Sequence, residues 1–132
     1  MPRRALRQRT DPVSTQKHLW KPDRLPQPWD PMAVFGRTGD LVLEIGSGKG
    51  LFLQSASRAR PADLFLGIER SQAYAEFAAA RLARQGVENA VVLNADAREM
   101  VTAYFPTASA AEVHVYFPDP WWKQRHRRRR LM

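Results

Sequence analysis

Glu44-Ile45-Gly46-Ser47-Gly48-Lys49-Gly50 joins an apolar run, Leu41–Ile45, to a helix-like stretch, Leu51–Ala59. The run has the length and character of a buried strand, so the three glycines close a strand and open a helix. Glycine at such a turn lets the backbone bend sharply. It also lets a ligand sit against main-chain N–H groups at the helix start with no Cβ in the way. The heptapeptide predicts a strand, a turn and a helix with a ligand held at the turn; the plainer alternative is a glycine-rich turn with no ligand.

The same alternation continues downstream. Residues 64–68 form a second strand candidate and residues 71–85 a helix. In that helix Ser71 can cap the first turn, Tyr74, Phe77, Ala78 and Leu82 make one apolar face, and Gly86 can end it in the left-handed conformation. Residues 90–93 read as a third strand, 97–104 as a short helix, and 113–117 as a fourth strand that Pro118 stops. Strands alternating with helices predict an α/β fold, a doubly wound and mostly parallel sheet covered on both faces. Residues 1–40 have no clear period, and Pro22, Pro26, Pro28 and Pro31 forbid a long helix. They are expected to form a basic, proline-rich arm, with Trp20, Trp29 and Phe35 as packing anchors, ahead of a domain covering residues 41–132.

Composition narrows the function classes. The net charge of +8 is concentrated at the ends: residues 1–24 carry seven Lys or Arg against two acids, and residues 121–132 carry six against none. The part between is mildly acidic, which predicts a polyanion held by the ends and other work in the body. Cysteine is absent and the three histidines, His18, His114 and His126, are widely spaced, so no metal site is expected. No apolar run reaches the ~20 residues a bilayer demands, and the start lacks a secretory pattern, so a cytoplasmic protein without membrane contact is expected. A monomer is the simplest expectation for its assembly.

Which ligand the loop takes is a separate question. Dinucleotide sites use the spacing G-x-G-x-x-G, and here Gly46, Gly48 and Gly50 are followed by Leu51 where the third glycine of that pattern would fall. Glu69, at the end of the second strand, can accept hydrogen bonds from both hydroxyls of an adenosine ribose, and Asp96, just past the third, can meet an adenine edge. Each acid alone also suits a solvated turn or a helix cap. After the fourth strand, Phe117-Pro118-Asp119-Pro120-Trp121-Trp122 holds Asp119 between two prolines beside broad apolar faces. An acid restrained in that way at the mouth of the sheet is a reaction-site candidate.

With these residues assembled, the sequence resembles the bacterial tRNA guanine-N7 methyltransferases. The resemblance rests on Glu44 to Gly50, on Gly67-Ile68-Glu69, on Asp96-Ala97, and most specifically on Phe117-Pro118-Asp119-Pro120-Trp121 followed by Lys123, Arg125, His126 and Arg127, Arg128, Arg129 and Arg130. It implies a Rossmann-like class I methyltransferase that uses S-adenosylmethionine to methylate N7 of a guanine in the variable loop of tRNA. It implies that Glu44, Gly46, Gly48, Gly50, Glu69, Asp96 and Asp119 contact the cofactor and that Asp119 is also catalytic. Lys123 would meet the target nucleotide, and residues 125–130 would hold RNA.

The sequence departs from the family in places. Trp122 stands where many members have histidine, and the N-terminal arm does not match the commoner bacterial pattern. The family also continues with further strands beyond Met132, so the resemblance implies an incomplete domain that is inactive alone. Two other readings compete with it. A methyltransferase acting on protein or adenine shares the cofactor half but usually has two prolines and an aromatic after its acid or amide, where this chain has Pro120-Trp121. An RNA-binding module with a degenerate nucleotide fold would explain the basic ends but not the loop glycines together with Glu69.

Overall fold

Strands that are apolar at every position, rather than at every second one, belong in a sheet covered on both faces. The computed structural model describes residues 13–105, 110–117 and 125–129, with the backbone alone for 116, 117 and 125–129. Among these residues the strands are β1 (Leu19–Trp20), β2 (Leu41–Ile45), β3 (Leu64–Glu69), β4 (Ala90–Asn94), β5 (Glu112–Phe117) and β6 (Arg125–Arg129). They form one sheet in the order β1-β4-β3-β2-β5-β6. All neighbours are parallel except β5 and β6, which are antiparallel. The helices are α1 (Pro31–Phe35), α2 (Leu51–Ala59), α3 (Gln72–Arg84) and α4 (Ala97–Ala103).

The expected doubly wound fold is what the chain adopts. Leucines 41, 43, 64 and 66 face a core completed by Trp20, Leu25, Val34, Met100 and Phe105, from the N-terminal segment, α1 and the region of α4. Val42, Phe65, Ala90 and Val92 face the opposite core with Leu53 of α2 and Ala75, Ala78 and Leu82 of α3. Register keeps the two faces apart. Val113, Leu43, Leu66 and Val91 lie in one row across β5, β2, β3 and β4, and all belong to the first core. The next row, His114, Glu44, Gly67 and Val92, has moved one residue and therefore faces the other way. The strand order reverses at β2, with β3 on one side and β5 on the other, so a crevice opens at the carboxyl ends of β2 and β5.

Three local features differ from the sequence reading. The apolar face of α3 consists of Ala75, Ala78, Ala79 and Leu82, while Tyr74 and Phe77 stay at the surface. At Ala78 the helix lies close against the glycine loop, since a Cβ on Gly50 would stand 2.9 Å from Ala78 Cβ. The N-terminal segment is also more structured than an extended arm. Leu19 and Trp20 pair with Val92 and Leu93, and α1 is capped by Asp30, whose side chain accepts from Met32 N, and ended by Gly36 at φ 74°. Finally, the outer edge of β5 is covered by residues 125–129, which the sequence reading left in a basic tail.

Candidate functional site

The glycine loop adopts the backbone that its composition predicts. Gly46, Gly48 and Gly50 have φ of 81°, 57° and 86°, in the left-handed region that disfavours a side chain. Gly46 N donates to Ile68 O at 2.9 Å, tying the loop to the end of β3. Gly67 makes room for it, because a Cβ there would overlap Ser47 Oγ and lie 2.7 Å from Leu53 Cδ1. The far side of the loop is braced by Arg81, whose Nε donates to Lys49 O at 3.0 Å.

Glu69 and Glu44 come together behind this loop but in different states. The Glu69 carboxylate accepts from Gly48 N at 2.7 Å and from Ser71 N at 2.9 Å, at the start of α3 where the helix dipole favours negative charge. It holds the loop in place and, with two lone pairs on each oxygen, keeps acceptor capacity for a ligand. Glu44 is 2% exposed, and its Oε1 has no hydrogen-bond partner. Burial pushes its carboxyl up to about 7; the nearby Ser47 hydroxyl pulls the other way without completing a well-formed hydrogen bond, and the like charge of Glu69 adds to the rise. Ser47 Oγ is likewise buried without a partner. Both groups line a pocket of about 340 Å³ together with Gly46, Gly48, Leu51 and Phe52. Unpaired buried polar atoms are costly, and here they converge on a cavity in the size range of small-molecule sites. A ligand with hydrogen-bond donors and a flat apolar part fits that combination.

Asp96 lies two residues past β4, and its carboxylate caps α4 by accepting from Arg98 N at 2.9 Å. It is held near Glu69 because Ala95 N donates to Glu69 O at 3.2 Å and Asn94 Nδ2 donates to Glu69 O and Arg70 O at 3.0 and 3.1 Å. The three acids therefore stand at the carboxyl ends of the adjacent strands β2, β3 and β4. Asp119, Lys123 and Arg130 lie outside the described residues. For Arg125, His126, Arg127, Arg128 and Arg129 the backbone is in β6, in register with Phe117 back to Val113.

One constellation escaped the sequence reading. His114, in register with Glu44, has Nε2 3.0 Å from Glu112 Oε1, and Arg60 forks onto both oxygens of Glu112 at 3.2 and 2.9 Å. The Phe52 ring, part of the pocket wall, lies 4.8 Å from the His114 ring. Glu112 and His114 are two apart in one strand and so share a face, a visible signal. Arg60 reaches them from over 50 residues away, which no local pattern reveals. Among the described residues no group of metal-ligating side chains assembles and no helix is long and apolar enough to cross a membrane.

Comparison with known proteins agrees with this geometry. Over all of its length the chain is 42% identical to a tRNA (guanine-N(7)-)-methyltransferase of Rhodopirellula baltica, covering 51% of that protein. Over 86% of its length it is 41% identical to the Bordetella pertussis protein of the same name, covering 44% of it. The chain thus spans about half the length of these curated relatives. Among solved structures, the precorrin-6y C5,15-methyltransferase of Geobacter metallireducens superposes with a TM-score of 0.51 at 15% identity over 74% of this chain and 70% of that one. The N-terminal domain of EvdMO1, solved with SAH bound, also gives 0.51, at 16% identity over 89% and 66% of the two chains. At such identities the likeness carries the fold alone, a Rossmann-like, doubly wound and mostly parallel sheet. A family model described as a putative methyltransferase matches residues 38–132, which include the glycine loop, all three strand-end acids and the Asp119 segment, and the chain belongs to that family.

Proposed function

We propose that this chain is the cofactor-holding part of an enzyme that transfers a methyl group from S-adenosylmethionine to N7 of a guanine in the variable loop of tRNA. The observation that carries the cofactor half is the pair of buried, unpartnered atoms, Glu44 Oε1 and Ser47 Oγ, on the glycine-loop pocket. The names of the relatives support the substrate.

The residues suit the cofactor's parts. The Glu44 carboxylate would pair with the amino acid ammonium, Gly46, Gly48 and Gly50 would bring main-chain N–H groups close, Glu69 would take the ribose hydroxyls with its remaining lone pairs, and Asp96 would meet the adenine edge. When bound, S-adenosylmethionine supplies a methyl group on a positively charged sulfur. Guanine N7 has an in-plane lone pair and no proton to remove, so the protein's work is mainly alignment. Asp119 would stand beside that path, accept guanine N–H donors and favour the positive charge that develops on the ring. Lys123 would meet the target nucleotide, and Arg125, His126, Arg127, Arg128, Arg129 and Arg130 would neutralise phosphates, with the basic N-terminal residues as a second polyanion contact. On this reading the chain works in the cytoplasm, where tRNA is found, and as a monomer.

The test is calorimetric titration of the chain with S-adenosylmethionine, with NAD as control. Selective micromolar binding of S-adenosylmethionine is expected; equal affinity for NAD, or none for S-adenosylmethionine, would contradict the assignment.

A further inference from the structure

A soluble protein has little reason to leave large apolar side chains exposed next to one another. Among the described residues, Leu51 (62% exposed), Tyr74 (48%) and Phe77 (36%) are exposed around the glycine loop and the adjoining turns of α3. Tyr74, Phe77 and Arg81 recur at intervals of three and four, so they form one stripe on α3, away from the buried stripe of Ala75, Ala78, Ala79 and Leu82. Two cations bracket Phe77: Lys49 Nζ lies 5.4 Å and the Arg81 guanidinium 5.5 Å from its ring centre. Arg81 is held there by its bonds to Lys49 O at 3.0 Å and Gln54 Oε1 at 3.2 Å. The nearest acid on the helix, Glu76, is engaged by Gln72 Nε2 at 3.1 Å. The stripe is continuous with the pocket mouth, because Lys49 and Leu51 line that pocket too.

Exposed aromatic faces beside positioned cations are the surface on which single-stranded nucleic acid binds, bases stacking on rings while phosphates meet the cations. We infer that Tyr74, Phe77, Arg81 and Lys49 form a further RNA contact, separate from the basic N- and C-terminal runs, on which an unpaired base of the substrate stacks. The inference rests on the RNA methyltransferase reading and adds to it where the strand leaves the pocket mouth.

The test is equilibrium binding of an unmodified tRNA transcript to the wild-type chain and to Tyr74→Ala and Tyr74→Phe, with a thermal melt of each. Tyr74→Ala is expected to weaken binding at least about fivefold, the lower end of what one stacked base contributes. Tyr74→Phe should bind within about twofold of wild type, because stacking needs the ring and not the hydroxyl, and neither variant should change the melting temperature or the affinity for S-adenosylmethionine. Wild-type affinity in Tyr74→Ala overturns the inference and leaves the RNA reading standing. A lowered melting temperature with unchanged RNA affinity also overturns it, and would mean that the stripe packs against another part of the protein. A wild-type chain that binds no tRNA overturns the substrate reading itself, and this inference with it.

Discussion

Two buried carboxylates lie on the same face of the same sheet and meet opposite fates. Glu112, at the start of β5, is gripped by both arms of Arg60 and by His114, so its charge is compensated inside the protein. Glu44, at the end of β2, is buried more deeply and has one oxygen with no partner. The first arrangement holds α2 to β5 and asks for nothing further. The second costs the free protein stability, because a buried oxygen goes without a donor. The difference marks Glu44, and not Glu112, as the proposed ligand-binding group more sharply than the identity of either residue, since both are glutamates on strands.

The largest effect expected from this contrast is at Glu44. Its carboxyl is raised from an ordinary 4.5 to about 7, so the folded state binds the proton more tightly than the unfolded one. Stability from this group is fully present below about 4.5 and is lost as pH rises toward 7 and beyond, by about 3 kcal/mol in all. Urea unfolding of the ligand-free chain at pH 4.5 to 8 should show that decline, and Glu44→Gln should flatten it and be more stable at pH 8 while binding S-adenosylmethionine less tightly. Glu112→Ala should do the reverse, lowering stability by about 2–3 kcal/mol; a fully buried pair would cost more, but the Arg60 side chain is 37% exposed and regains water. If both glutamates behaved alike in these titrations, the contrast would fail. The smallest effect is at Ser71, whose hydroxyl caps α3 by accepting from Tyr74 N at 3.2 Å and whose own N–H holds Glu69. Ser71→Ala should cost about 1 kcal/mol in the same unfolding assay with little change in cofactor affinity, because alanine keeps the backbone N–H that holds Glu69.

What the sequence made legible follows from the range of the interactions involved. The runs Leu41–Ile45 and Leu51–Ala59 appear in the structure with the expected bounds, because continuous burial and a three-glycine turn are written locally. The strand at Leu19–Trp20 was not legible: it is two residues long and exists only because its partners Val92 and Leu93 lie more than 70 positions away. Its sequel, α1, was signalled by Asp30 before Pro31 and by Gly36, a cap and a stop that the surrounding prolines obscured. On α3 periodicity weighs Tyr74 and Phe77 as apolar, but the buried stripe is Ala75, Ala78, Ala79 and Leu82, one step round the helix, and short alanines leave no apolar signal strong enough to mark it. At the site, Glu44, Glu69 and Asp96 were legible as strand-end acids. That Glu69 braces the loop, that Asp96 caps α4 and that Glu44 alone is left unsatisfied depended on hydrogen bonds that no spacing encodes.

If the unsatisfied Glu44 carboxyl takes the positive end of S-adenosylmethionine, as proposed, carboxyl carbon NMR of Glu44 through a pH titration will read it out. Without ligand the resonance should titrate near 7, and with saturating S-adenosylmethionine its midpoint should fall well below that value as an ammonium group takes the free oxygen. A midpoint that stays where it was when the ligand is bound would mean that no ammonium group meets Glu44.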